Sequence, residues 1–285
     1  MKINFRSNKA GRVTSRLAFT MIEIAIALAV IAFALVAIIG VLPTGLSVQK
    51  DNREDTIINQ DGPYWMQAIR NGSRGLDHLT NYVETITVRT VGNNAGGPVD
   101  VLTIYTNSPG VVLPPPLDGS MTNGQRIVGL LSKPKYFYDQ SFRLTNTVTA
   151  RVRAMTGAAV EQGKVDTAQS ALTDFSFSYL LEPEITRFVA VQVNFDSTNY
   201  CEPTLTPDQV AARKLEWLKV QTRELNASEI RLVFKWPLLA GGRTGPNRQF
   251  FREIISGEHK FDTNELLHFF QPQAFAVSPP PPNCP

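Results

Sequence analysis

Residues 24–42 form an unbroken apolar run, flanked on both sides by polar sequence. As a helix that run spans about 28 Å, close to the hydrocarbon thickness of a bilayer. Beyond it come Pro43-Thr44-Gly45 and a more polar stretch with sparse apolar support from Leu46, Ile57 and Ile58, so the helix is expected to run to about Asn59 with a kink near Pro43. Tyr64, Trp65, Ala68 and Ile69 share one face of a second short helix over 64–69, stopped by Asn71-Gly72.

From residue 81 the period changes from 3.6 to 2. Residues 82–91 and 99–106 read as a β-hairpin about the turn Asn93-Asn94-Ala95-Gly96-Gly97-Pro98. Residues 110–124, with Pro114-Pro115-Pro116, read as a long loop, 127–131 as a short strand, 142–155 as a strand and 156–170 as turn-rich. Phe175, Phe177 and Tyr179 share a strand face, and 187–195 alternates again, which predicts two antiparallel strands joined at Glu182-Pro183-Glu184.

Thr206-Pro207-Asp208-Gln209 is a helix start with a capping box and proline at the first position. That helix is expected to reach about Leu225, with Val210, Leu215 and Leu218 toward the domain. A strand over 230–236 with Arg231 and Lys235 toward water, a turn at 241–245, an edge strand over 250–255 and a short helix over 262–270 complete the pattern. The sum is an α+β chain: a long hydrophobic helix followed by a mixed, mainly antiparallel sheet domain. The expected division is a basic leader (1–18), a transmembrane helix (19–59), a globular domain (60–278) and a Pro-rich tail (279–285).

Charge changes the picture only at the start. The leader holds Lys2, Arg6, Lys9, Arg12 and Arg16, five of the 28 basic residues, and none of the 25 acidic ones. Without it the chain carries 23 against 25, so the precursor's +3 gives no support for nucleic-acid binding. The same cations predict an N-in, C-out orientation. The two cysteines, Cys201 and Cys284, exclude an all-thiolate metal site. On an exported chain they form a possible disulfide tying the tail to the domain.

Catalytic and metal signatures are missing from the sequence. His78, His259 and His268 lack metal-ligand spacing, and Ser120, Ser170 and Ser256 lack a nucleophile elbow. Asp61, Asp118 and Asp196 lie near turns without a calcium-loop spacing. No cofactor, metal or catalytic residue is assigned, and no enzyme activity is expected. Arg70-Asn71-Gly72-Ser73-Arg74 is a compact basic loop. Tyr64, Trp65, Phe137 and Tyr138 are the aromatics whose exposure bears on lateral contacts.

The opening stretch is not patterned as a secretory signal. Its apolar run has no small-residue cut site after it, while Ala18 stands before it. Glu23 lies beside the hydrocarbon, where a carboxylate costs a few kcal/mol unless it snorkels, is protonated or finds a partner. An α-amino group freed by a cut before Phe19 on another copy would supply that partner.

Arg16-Leu17-Ala18-Phe19-Thr20-Met21-Ile22-Glu23-Ile24 followed by an apolar helix resembles the prepilin-type cleavage and methylation motif of type IV pilins and type II secretion pseudopilins. Alanine stands at position 18, where glycine is usual. The resemblance implies cleavage after Ala18 by a prepilin peptidase, N-methylation of Phe19, and a salt bridge between Glu23 and the Phe19 amine of a neighbouring subunit. It further implies an inner-membrane, single-pass subunit with a cytoplasmic N-terminus and periplasmic domain. Its partners would be other pilin or pseudopilin subunits, an inner-membrane assembly platform and the lipid bilayer. Two other readings stay open: a membrane-tethered binding or adhesive domain that does not polymerise, and a DNA-uptake minor pilin.

Overall fold

The computed structural model describes residues 20–72, 75–94, 96–106, 121, 123–139, 142–156, 177–188, 204–264 and 266–278. The chain falls into two compact units, residues 1–53 and 54–285. Helix α1, Met21–Asn71, supplies the described part of the first unit and the opening of the second. Every residue from 20 to 53 is exposed.

The helix does not end near Asn59, nor does a separate helix follow. α1 continues through Pro63 to Asn71 because its outer turns present Ile57, Ile58, Asp61, Trp65 and Ile69 at helical spacing to a sheet. Proline removes one N–H from a helix interior, and packing offsets that loss here. The expected stop does hold: Gly72 takes φ 76°, the left-handed conformation that ends helices.

Strands β1 (Val83–Asn94), β2 (Gly97–Thr106), β3 (Tyr136–Asp139), β4 (Phe142–Arg153), β5 (Ser178–Arg187), β6 (Ala227–Leu238) and β7 (Thr244–Ser256) form a seven-stranded sheet. Its order is β2-β1-β4-β5-β6-β7, with β3 added beside β4, and every strand pair is antiparallel. The β1–β2 hairpin turns between Asn94 and Gly97, as the turn residues predict. β7 is the expected edge strand, extended at both ends. The architecture is therefore α+β: a long apolar N-terminal helix preceding a mainly antiparallel sheet.

One sheet face carries Ile86, Val88, Val148, Ala150, Tyr179, Leu181, Ile230, Leu232 and Phe234, all buried against α1 residues Ile58, Trp65 and Ile69. Helix α2, Gly124–Leu131, adds Ile127, Leu130 and Leu131 to the same core. The opposite face carries ion pairs such as Lys235–Glu182 at 2.7 Å and Lys135–Glu184 at 3.0 Å.

Three expected elements are corrected. Residues 127–131, read as a strand, lie in α2, whose start is capped by Asn123 accepting from the Arg126 N–H at 2.8 Å. A short apolar run does not distinguish strand from helix, and burial on nearly every side selects the helix here. Glu182-Pro183-Glu184 is not a turn, because β5 runs straight through it. The Ile185 carbonyl accepts from the Lys135 N–H on the side away from β6, and Pro183 has the same parity. Its missing N–H therefore points past the end of the β4 pairing, which stops at Leu181.

The third correction is residues 262–270, read as a helix. They instead contribute to β8 (Glu258–Asp262) and β9 (Leu267–Gln271), a separate antiparallel pair. Helix α3, Pro207–Asn226, keeps its predicted start, with both halves of the capping box formed between Thr206 and Gln209. Leu215, however, is 54% exposed rather than turned inward. The strand expected over 187–195 lies outside the described residues beyond Phe188.

Candidate functional site: the N-terminal helix and its docking network

At the start of α1, Glu23 folds back on its own helix. The Thr20 N–H donates to Glu23 Oε2 at 3.3 Å, the Thr20 hydroxyl to the same oxygen at 3.4 Å, and the Glu23 N–H to Thr20 Oγ1 at 3.3 Å. This is a capping box, and Thr20-x-x-Glu23 is its sequence signature, so the pattern was available from spacing alone. Glu23 is thus not a bare carboxylate. Its charge sits at the positive end of the helix dipole, which lowers the cost of holding it near hydrocarbon. Ile22, Ile26, Phe33, Ile39 and Leu42 behind it are all more than half exposed. This helix is long and apolar enough to cross a membrane, and none of its apolar window is buried in the protein.

Within the second unit, the outer turns of α1 are locked by a buried polar chain. Asp61 is fully buried and accepts from the Met155 N–H at 3.0 Å, the Thr156 hydroxyl at 2.9 Å and the Tyr179 hydroxyl at 2.9 Å. The Tyr179 oxygen accepts in turn from the Trp65 indole N–H at 2.9 Å. Residues 61 and 65 lie one turn apart on the same face, so one helix surface holds two members of the chain. Burial raises the Asp61 pKa, opposed by its three hydrogen bonds, while burial and the Asp61 charge push Tyr179 well above its ordinary value. With both carboxylate oxygens so engaged, Asp61 is a structural acceptor. A carboxylate on the apolar face of a helix was the signal that could have located it.

Two further contacts flank the lock. Gln249 Nε2 donates to Asn59 Oδ1 at 2.7 Å, and Arg70 pairs with Glu253 at 2.9 Å. Arg70 therefore serves as an exposed ion pair to β7. Trp65 lies in the core, while Tyr64 and Phe137 are half-buried.

The histidines distribute in a way that spacing did not foretell. His78 Nε2 meets the Tyr64 hydroxyl. The β8–β9 register brings His259 and His268 into a stacked contact at 5.3 Å, continued by Phe270 on His259 and Phe261 on His268. Loss of water lowers His259 from 6.5 to about 4, against the Ser132 carbonyl 2.9 Å from its Nε2. The same cause, with the charges of His259 and Lys133, lowers His268 to about 3. Among the described residues no group of three or more His, Cys, Asp or Glu is placed to hold a metal. Ala18, Phe19, Cys201, Cys284, Asp118, Asp196, Ser120 and Ser170 lie outside the described residues.

No protein-family model, no curated protein and no solved structure matches this chain. The class is accordingly set by architecture alone: an α+β protein whose exposed apolar N-terminal helix precedes an antiparallel sheet, a layout compatible with pilin-like subunits in general.

Proposed function

We propose that the chain is a minor pilin or pseudopilin, a structural subunit of a type II secretion pseudopilus or type IV pilus-like filament. The observation that carries this reading is the junction Arg16–Ile24, in which a basic leader, Ala18, Phe19 and Glu23 precede a fully exposed apolar helix. Residues 20–53 are all exposed, so their apolar surface calls for lipid before assembly and neighbouring helices after it.

Processing by a prepilin peptidase after Ala18 leaves Phe19 as a charged amine, which is then methylated. Glu23 exchanges its intrahelical partner Thr20 for the Phe19 amine of an adjacent subunit as helices bundle. The pair offsets the burial of both charges only when both are present. The leader cations keep the N-terminus cytoplasmic, with the sheet domain periplasmic and an inner-membrane assembly platform as the partner that extracts the subunit. The absence of catalytic clusters among the described residues is compatible with a structural role.

Mass spectrometry of the mature N-terminus tests the reading. Methylated Phe19 is the expected result, and an intact Met1 or a cut beyond residue 42 overturns it. Glu23→Ala is expected to insert normally in the membrane and to fail in filament assembly, measured by shearing and quantification of assembled subunit.

A further inference from the structure

The main sheet ends in two strands, β2 and β7, whose outer edges pair with no other strand among the described residues. Its path β2-β1-β4-β5-β6-β7 alternates in direction at every step, so the two edge strands run in opposite directions. Edges of proteins that stay monomeric are guarded by proline, lysine or inward-pointing charge. From Val99 to Tyr105, β2 has no proline and no lysine, and its one charged residue, Asp100, pairs with Arg89 at 2.7 Å. The register places Leu102 and Ile104 on the sheet face turned away from α1, opposite Arg89 and Thr87. Both are about half exposed, as is Val101 on the other face. On β7 the same outer face carries Phe250 and Ile254, also about half exposed, alternating with Arg248 and Arg252. Arg252 pairs with Glu229, while Arg248 makes no ion pair among the described residues.

We propose that copies of this chain associate head to tail, the β2 edge of one adding to the β7 edge of the next. Because these edges run in opposite directions, the added pair is antiparallel and the alternation of the sheet continues across the junction. Setting Leu102 opposite Phe250 of the next copy puts Asp100 opposite Arg252, so one register joins apolar side chains and opposite charges. It links the Arg89–Asp100 and Arg252–Glu229 pairs into a single network. Pairing β7 with β7 would gather Arg248 and Arg252 of both copies, like charges that repel. Pairing β2 with β2 would turn the docked turns of α1 end for end, about a two-fold axis normal to the sheet. The choice against that second arrangement rests on the membrane subunit proposed above, whose copies share one orientation in a bilayer. A head-to-tail contact leaves an open edge at each end, so it propagates beyond a dimer.

The test is analytical ultracentrifugation of the full chain in detergent, with micelles in excess over protein. Wild type is expected to form dimers and longer species as its concentration rises. Leu102→Lys closes the β2 edge and Phe250→Lys the β7 edge, and each variant alone is expected to associate about tenfold more weakly, with circular dichroism unchanged. Their equimolar mixture is expected to form a dimer and nothing larger, because each supplies the edge the other lacks. Ile104→Lys takes the place of Leu102→Lys if that variant loses its fold. A wild type that stays monomeric overturns the proposal. So does a single variant that associates as wild type does, the outcome for association through α1 or through one kind of edge, and so does a mixture no larger than its components. None of these readouts depends on processing at Phe19, which the mass of the mature N-terminus reports separately.

Discussion

Replacing Asp61 by alanine removes one acceptor and strands three donors, the Met155 N–H and the Thr156 and Tyr179 hydroxyls. A buried donor left unmade costs about 1–3 kcal/mol, so the expected loss is about 3 kcal/mol in urea unfolding of the full chain followed by tryptophan emission. Tyr179→Phe leaves the Trp65 indole without its acceptor and is expected to cost about 1–2 kcal/mol. The double variant should fall short of the sum, because the two residues share one hydrogen-bond chain.

The residue scale also sets the response to acid. His259 and His268 have native pKa values lowered to about 4 and about 3, so the unfolded chain binds protons first as pH falls. Their contribution is fully present above pH 6.5 and is lost as pH drops toward those native values. Asp61, raised from its ordinary value, acts oppositely: its contribution shrinks as pH rises through the native pKa. Lys133 and Arg187 lie close enough to act on the histidines, and both oppose their protonation. His268→Phe is therefore expected to flatten the decline in thermal midpoint between pH 6.5 and 4. An unchanged slope would assign the acid sensitivity elsewhere.

At the scale of elements, close approach depends on glycine at helix positions that include Gly62 and Gly129. A Cβ on Gly62 would run into the ring of Phe251, and one on Gly129 would sit 2.8 Å from the Leu267 Cβ. Gly129→Val is expected to cost about 1–3 kcal/mol by overpacking and to loosen β9, read as faster amide exchange over 267–271. Elements with local signals were legible: the β1–β2 turn, the Thr206 cap and the Gly72 stop are each specified by residues within a few positions. The elements misread lack such signals. Residues 127–131 are apolar all round, Pro183 sits in a strand because β4 pairing ends beside it, and residues 267–270, Leu-His-Phe-Phe, carry no decisive period.

At the scale of the molecule, residues 20–53 bury nothing in the described protein, whereas the buried set of α1 begins at Glu54. A chain beginning at Asp51 is expected to be soluble without detergent and to keep the thermal midpoint of the full chain. Size exclusion and circular dichroism check this, and a truncated chain that unfolds would show that the apolar half contributes to domain stability. The candidate site divides in the same way. The proposed processing junction and the Thr20–Glu23 box are readable from adjacent residues. The docking lock joins Trp65 and Asp61 to Tyr179 across sequence separations of 114 and 118.

The sequence by itself determined the membrane-length helix, the basic character of residues 1–18, the change from helical to strand periodicity and the α+β class, because each follows from the spacing of near neighbours. Only the tertiary structure decided that α1 persists through Pro63, that Asp61 is an internal acceptor and that two histidines stack. Those outcomes depend on surfaces brought together from distant segments, where burial and hydrogen bonding outweigh local preference.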